Sequence, residues 1–367
     1  MIWNPKIELM PRKDLESLQL KNLRSQIDYI YSNSLFHQRR FDENGIKPGD
    51  IKEIKDLEKI PLISRGELQD AARNGDFYGD RLCVPESDAI MTFAPPEDFF
   101  YPQEDIAVVA AVTPDDQAKV VEHLTRDWMM MGISPGNLVQ VLCWAYEALG
   151  FAFTNPSHNL MTPSVGKILG CRVIPLELFA PDAARTIFMG LFFKPDAIVT
   201  SETSLMTLES YLMPDAEGNV TVKVMISETG EWTVMEDEQI SPKGMGYERI
   251  ILRSPIYEQM VMTEGRRREL SKMWGAEIYS LLDIQDNLLY AAECEARKGL
   301  HVWEDAFVVE IVDGDGKQVN DGEAGKLVVT NLFAKATPMI RYNTEITASL
   351  TKEVCSCGRT HARILLS

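Results

Sequence analysis

No stretch of this sequence approaches the ~20 consecutive apolar residues that a membrane helix requires. The opening Met1-Ile2-Trp3-Asn4-Pro5 also lacks the basic-then-apolar pattern of a secretory leader. Both absences predict a cytoplasmic protein. Positive charge is scarce as well: 37 Lys and Arg stand against 55 Asp and Glu, a net charge of −18. Nucleic-acid backbones and anionic lipid attract the opposite sign, so neither nucleic acid nor membrane is an expected partner. Cysteine is too thinly spread for a disulfide framework, with 6 in 367 residues. Cys83, Cys143 and Cys171 lie in apolar, strand-like surroundings and read as core residues. There is no internal repeat and no low-complexity tract.

A more local absence bears on chemistry. Between Thr92 and Asp105 the sequence has neither glycine nor lysine, the residues that let backbone N–H groups wrap a phosphate and an ammonium neutralise it. Pro95 and Pro96 remove N–H donors there, and Glu97, Asp98, Glu104 and Asp105 add carboxylates. Two like charges ~4 Å apart near a protein surface repel by roughly 4 kcal/mol at an effective dielectric of ~20. This segment is therefore expected to reject a polyphosphate.

What the chain does contain is a large apolar fraction, 45% of its residues, enough for a substantial core in two or three domains. The first ninety residues read as helical. Leu15 to Ser34 carries apolar side chains at helical spacing, and Ser64-Arg-Gly-Glu67 has a capping-box pattern. A buried strand is expected at Ile106 to Val112. Thr113-Pro-Asp-Asp116 then opens a helix with proline in its first turn and acids at the positive end of its dipole. From 132 to 200 short apolar strands alternate with helices, the signature of βαβ units and a largely parallel sheet. Residues 219 to 236 read as an inserted β-hairpin turning at Glu228-Thr-Gly230. The expected domains are a helical region over 1–90, an α/β body over 91–290 and a β-rich subdomain over 291–367. Arg266, Arg267 and Arg268 read as a solvated helix face.

The remaining cysteines suggest a metal centre. Cys294, His301, Cys355 and Cys357 supply three thiols and an imidazole from two polar, glycine-bearing turns, the donor set of a closed four-coordinate structural zinc site. His361 is an alternative to His301. Reduced thiols beside a surface histidine are the competing reading. His123 and His158 are isolated and read as structural. No Gly-x-Ser-x-Gly elbow supports a serine hydrolase.

Several blocks are similar to one known family. Ile2-Trp-Asn-Pro5, Phe36-His-Gln-Arg-Arg-Phe-Asp-Glu-Asn-Gly-Ile-Lys-Pro-Gly-Asp50, Cys294-Glu-Ala-Arg-Lys-Gly-Leu-His-Val-Trp-Glu-Asp305, Pro338-Met-Ile-Arg-Tyr342 and Cys355-Ser-Cys-Gly-Arg-Thr-His361 resemble the phenylacetate-CoA ligase family. That family belongs to the adenylate-forming superfamily of acyl-CoA synthetases, adenylation domains and luciferases. The resemblance spans residues 2 to 364 and implies an α/β fold: the large N-terminal-type domain of these enzymes, with packing helices and a β-rich subdomain, assembled as a homodimer. It places the metal-holding glutamate of the family at Asp283, in Ile278-Tyr-Ser-Leu-Leu-Asp283, and the adenine-side segment at Arg253-Ser-Pro-Ile256. The ribose-binding aspartate falls at Ile346, next to Glu345. It places the wall of the carboxylate pocket at 149–155, a stretch that reads first as core. A small aromatic carboxylate or acyl ligand would meet Trp144, Tyr146, Phe151 and Phe153 there.

The chain departs from the family's catalytic pattern at the phosphate loop and the ribose carboxylate. The resemblance also implies that the mobile C-terminal domain and its lysine are absent. Such groups stabilise transition-state charge, typically by several kcal/mol each. The leading expectation is accordingly a catalytically degenerate binding or partner subunit, with zinc as cofactor and ATP and magnesium unlikely. The alternative is a truncated aryl- or acyl-acid ligase that forms an acyl-adenylate, with transfer completed by another protein.

Overall fold

The computed structural model describes residues 1–94, 107–142, 164–176, 183–212, 222–225, 232–235, 240–255 and 262–366. Four helices come first: α1 (Pro5–Glu8), α2 (Arg12–Asn33), α3 (Leu35–Glu43) and α4 (Arg65–Asn74). The Ser64 hydroxyl caps α4 by accepting from the Glu67 N–H at 3.2 Å, as its sequence pattern implies. One face of α2 buries Leu23, Ile27 and Ile30 against Val308, Leu332 and Ile340, so the N-terminal helices pack on the far end of the chain.

The strand expected from Ile106 is shorter than its apolar run. β1 (Met91–Phe93) pairs antiparallel with β2 (Ala110–Val112), while 107–109 lie outside any strand. Helix α5 (Pro114–Met130) starts as predicted, with Thr113 and Asp116 in a reciprocal capping box. Asp116 does more than cap: its carboxylate also accepts the N–H groups of Lys335 and Ala336 at 2.6 and 3.1 Å, and it is buried.

Next come β3 (Leu138–Leu142), α6 (Val165–Leu169), β4 (Arg172–Leu176), α7 (Ala183–Phe193), β5 (Ala197–Ser201) and α8 (Glu202–Leu212). The expected hairpin is present as β6 (Val222–Met225) and β7 (Trp232–Met235), paired antiparallel as a separate two-stranded sheet. β8 (Arg249–Pro255), α9 (Glu264–Trp274) and β9 (Glu277–Ile284) complete the parallel part, with strand order β4-β3-β5-β8-β9. From there the same sheet turns antiparallel through β10 (Leu289–Glu293), β11 (Leu300–His301), β12 (Phe307–Val312), β13 (Gly325–Asn331), β14 (Tyr342–Thr351) and β15 (Arg363–Leu366). The result is one 11-stranded sheet ordered β12-β13-β14-β15-β11-β10-β9-β8-β5-β3-β4.

The inner parallel strands β3, β5 and β9 are buried along both faces, which explains why they read as continuous apolar runs rather than alternating ones, while the edge strand β4 is largely uncovered. Trp128 on α5 and Trp303 sit fully buried in the largest core, and Trp274 on α9 anchors a second core under β5 and β8. The arginine run on α9 is a solvated face only in part: Arg268 is exposed and Arg266 half-buried, but Arg267 turns inward. Arg267 is buried and forked onto Glu293 of β10 at 2.7 and 3.0 Å, and it also donates to the Ile278 carbonyl at 2.6 Å. Helical periodicity alone could not reveal that β10 offers a carboxylate to that turn. Among the described residues no helix is long and apolar enough to cross a membrane.

Candidate functional site

The parallel strands β5, β8 and β9 deliver their C-terminal ends, Ser201, Pro255 and Ile284, to one edge of the sheet. Open parallel sheets bind ligands outside these ends. Here Arg253 of β8 meets Asp283 of β9, guanidinium to carboxylate at 3.0 Å, with side chains only 2% and 0% exposed. The Gln285 amide donates to the same carboxylate oxygen at 3.2 Å. Among the described residues the other oxygen, Asp283 Oδ1, has no hydrogen-bond partner, and neither do Gln285 Oε1 and Asn287 Oδ1. Burial pushes the Asp283 carboxyl above its ordinary range, against the opposing pull of Arg253.

The turn that carries these acceptors is fixed from several sides. Leu288 takes a left-handed φ of 55°, a strain of about 1–3 kcal/mol for a residue other than glycine. Asn287 Nδ2 donates to the Val329 carbonyl at 3.1 Å, and Asn331 Nδ2 donates to the Asn287 carbonyl at 2.8 Å. Asp286 accepts from Arg65 and from the Tyr342 hydroxyl, each at 3.1 Å. Sequence reasoning named Asp283, and Arg253 within the adenine-side segment, but missed that the two pair. The available signal was a lone charge inside the apolar run Ile250-Ile251-Leu252-Arg253.

A second constellation forms where the antiparallel strands meet. Cys294 follows β10, His301 ends β11, and Cys355 and Cys357 occupy the turn before β15, whose Gly358 takes a φ of +89°. Cys294 Sγ lies 3.6 Å from Cys355 Sγ, and Cys357 Sγ lies 3.5 Å from His301 Nε2. The four ligand atoms all fall within 4.8 Å of one another. A tetrahedral ion with metal–sulfur bonds of ~2.3 Å would hold its sulfurs roughly 3.8 Å apart, so the spacing and donor types suit such an ion. Hydrogen bonding to Cys294, and then to His301, holds the Cys357 thiol far below its ordinary range. His361 is engaged elsewhere: its Nδ1 accepts the Glu304 N–H and its Nε2 lies against the Ile7 carbonyl, both at 3.0 Å. The histidine beside the thiols is therefore His301.

The other candidates resolve into joints of the fold. Trp303 Nε1 donates to Asp127 at 2.9 Å. Glu304 accepts from Arg12 and from the Ala362 N–H, each at 2.7 Å, and Asp305 pairs with Arg126 at 2.8 Å. His123 is buried beside Phe307 and Phe333. Trp144, Tyr146, Phe151, Phe153, His158 and the acidic segment from Pro95 to Asp105 lie outside the described residues.

No family model matches the chain. Curated relatives match along nearly all of it: the phenylacetate-coenzyme A ligase of Thermus thermophilus is 26% identical over 368 residues, covering 99% of this chain and 72% of the relative. The phenylacetate-coenzyme A ligase of Escherichia coli (strain K12) is 27% identical over 387 residues, covering 99% and 74%. Among solved structures, 2-hydroxyisobutyryl-CoA ligase in complex with 2-HIB-AMP and CoA in the thioesterification state superposes with a TM-score of 0.81 at 20% identity, over 100% of this chain and 70% of that one. The chain is phenylacetate-CoA ligase-like, within the adenylate-forming superfamily. Its fold is that of the large N-terminal domain of these enzymes.

The likeness to coenzyme A ligases along nearly the whole chain argues against the expectation that ATP and magnesium are unlikely cofactors, and that expectation is corrected. The argument from carboxylates at 97–105 failed for a physical reason. Carboxylates repel a polyphosphate only while no cation stands between them, and a bound divalent ion inverts the local electrostatics. The expectation of a structural zinc is corrected too: four converging donors do not by themselves establish a bound zinc ion.

Proposed function

We propose that this phenylacetate-CoA ligase-like chain is the adenylating body of a carboxylate-activating ligase. It takes a small aryl or acyl carboxylic acid and magnesium ATP, and another protein completes the transfer of the acyl group. The observation that carries the reading is the buried Arg253–Asp283 ion pair at the carboxyl ends of β8 and β9, and the reading takes Asp283 as the counterpart of the family's metal-holding glutamate. The likeness to ligases over nearly the whole chain favours this reading over a degenerate subunit.

In the reaction a carboxylate oxygen of the acid bonds to the α-phosphorus as the bond to the pyrophosphate oxygen breaks. Asp283 would hold the cation that shields the phosphates. The test is trapping with hydroxylamine. Incubation with magnesium ATP and a panel of aryl and short-chain acids is expected to yield an acyl hydroxamate and AMP for at least one acid. A panel giving no product above a heat-treated control would overturn the reading.

The same reading takes Cys294, His301, Cys355 and Cys357 as one ligand set for a soft metal ion that joins the tail to β10 and β11, supported by donor type and spacing.

A further inference from the structure

We propose that Arg253 is the cation that meets the nucleotide phosphates in this chain, and that the Arg253–Asp283 pair opens by exchanging partners when magnesium nucleotide arrives. The inference rests on the ligase reading and goes beyond it by assigning the charge that the stretch from Thr92 to Asp105, without lysine or glycine, does not supply. Arg253 stands two residues from the end of β8, in register with Ser201 of β5 and Leu281 of β9, on the ligand-binding edge of the parallel sheet. Its fork can grip two phosphate oxygens at once, which an ammonium cannot do.

The acceptors around it say what it waits for. Among the described residues Asp283 Oδ1, Gln285 Oε1 and Asn287 Oδ1 are buried with no hydrogen-bond partner, so this corner has acceptor capacity that a cation or new donors could fill. Arg253 satisfies the other oxygen of Asp283 at 3.0 Å, which keeps both charges compensated while the site is at rest. A magnesium nucleotide offers each partner a replacement: phosphate oxygens for the guanidinium, and a hard divalent ion for the carboxylate and its neighbouring oxygens. One internal pair becomes two compensated contacts, and no charge is left buried alone. A nucleotide without its metal satisfies only the arginine and leaves phosphate facing Asp283, so it binds poorly.

The experiment measures nucleotide affinity by calorimetry and the ATP and acid dependence of adenylation, using the full chain and three variants: Arg253→Gln, Arg253→Lys and Arg253→Gln with Asp283→Asn. The double variant removes both buried charges and remains informative if the single glutamine variant does not fold. Arg253→Gln is expected to weaken magnesium ATP binding at least tenfold and raise the KM for ATP without moving the KM for the acid. Arg253→Lys should recover part of that loss. The double variant should bind ATP weakly, and equally so with and without magnesium. A folded glutamine or double variant with magnesium ATP affinity within twofold of the parent would overturn the role of Arg253 alone. A parent chain that binds no magnesium ATP would overturn the ligase reading and this inference together.

Discussion

Glu8 and Arg359, 351 positions apart in sequence, form a buried ion pair at 2.8 Å with side chains 0% and 2% exposed. The second Glu8 oxygen accepts the N–H groups of Trp3 and Asn4 at 2.8 and 2.6 Å, and Arg359 also donates to the Met1 carbonyl. The first turn of the chain is thereby fastened to the turn that carries Cys355 and Cys357. Removing one partner leaves the other charge buried without compensation. Arg359→Met is expected to cost about 3–5 kcal/mol in chemical denaturation. A loss under 1 kcal/mol would mean that the two ends are held by packing alone.

The thiol–imidazole set makes a spectroscopic prediction. Protein refolded with cobalt(II) is expected to gain thiolate-to-cobalt charge-transfer absorption, which Cys355→Ser should greatly reduce while lowering the melting temperature. His361→Gln should leave the band in place, because both ring nitrogens of His361 are engaged elsewhere. A parent protein with no such band would remove these four residues from consideration as ligands.

Two buried histidines set an acid limit. Burial lowers His37 from 6.5 to about 4 and His123 from 6.5 to about 3. Both stay neutral in the folded chain while the unfolded chain takes up protons below 6.5, so their contribution is complete above pH 6.5 and is lost as pH falls toward 4 and 3. By pH 5 each costs about 2 kcal/mol, at about 1.4 kcal/mol per pH unit. Denaturation midpoints measured from pH 7.5 to 5 should fall accordingly, and His123→Phe should flatten part of that slope. A profile unchanged by that substitution would mean that other groups set the limit.

Trp303 tests the core. Its indole is fully buried and donates to Asp127, so Trp303→Ala is expected to cost about 3–5 kcal/mol, with the carboxylate left unpaired besides. Thermal unfolding followed by circular dichroism measures the effect, and an unchanged midpoint would contradict this packing.

What the sequence reveals here follows from range. Thr113, Pro114 and Asp116 specify the start of α5 within four residues, and the apolar runs at 138–142 and 197–201 specify buried parallel strands, because those signals are local. The partners of Arg253 and Arg267 depend on which strands lie side by side. Asp283 and Glu293 sit 30 and 26 positions away, and no periodicity in either segment encodes that pairing. The choice between His301 and His361 was undecidable by spacing. It is decided by the β10–β11 register, which sets Ala292 opposite His301 and carries the imidazole to the thiols. The charge argument on 97–105 erred by treating a segment's carboxylates without the cation that accompanies a nucleotide.

The most direct test of the ligase reading is isotope exchange. With magnesium ATP, labelled pyrophosphate and a panel of aryl and acyl acids, the full chain is expected to incorporate label into ATP only when a suitable acid is present, and to lose that exchange when magnesium is chelated. The absence of acid-dependent exchange across the panel, in folded protein that still binds no nucleotide, would contradict it.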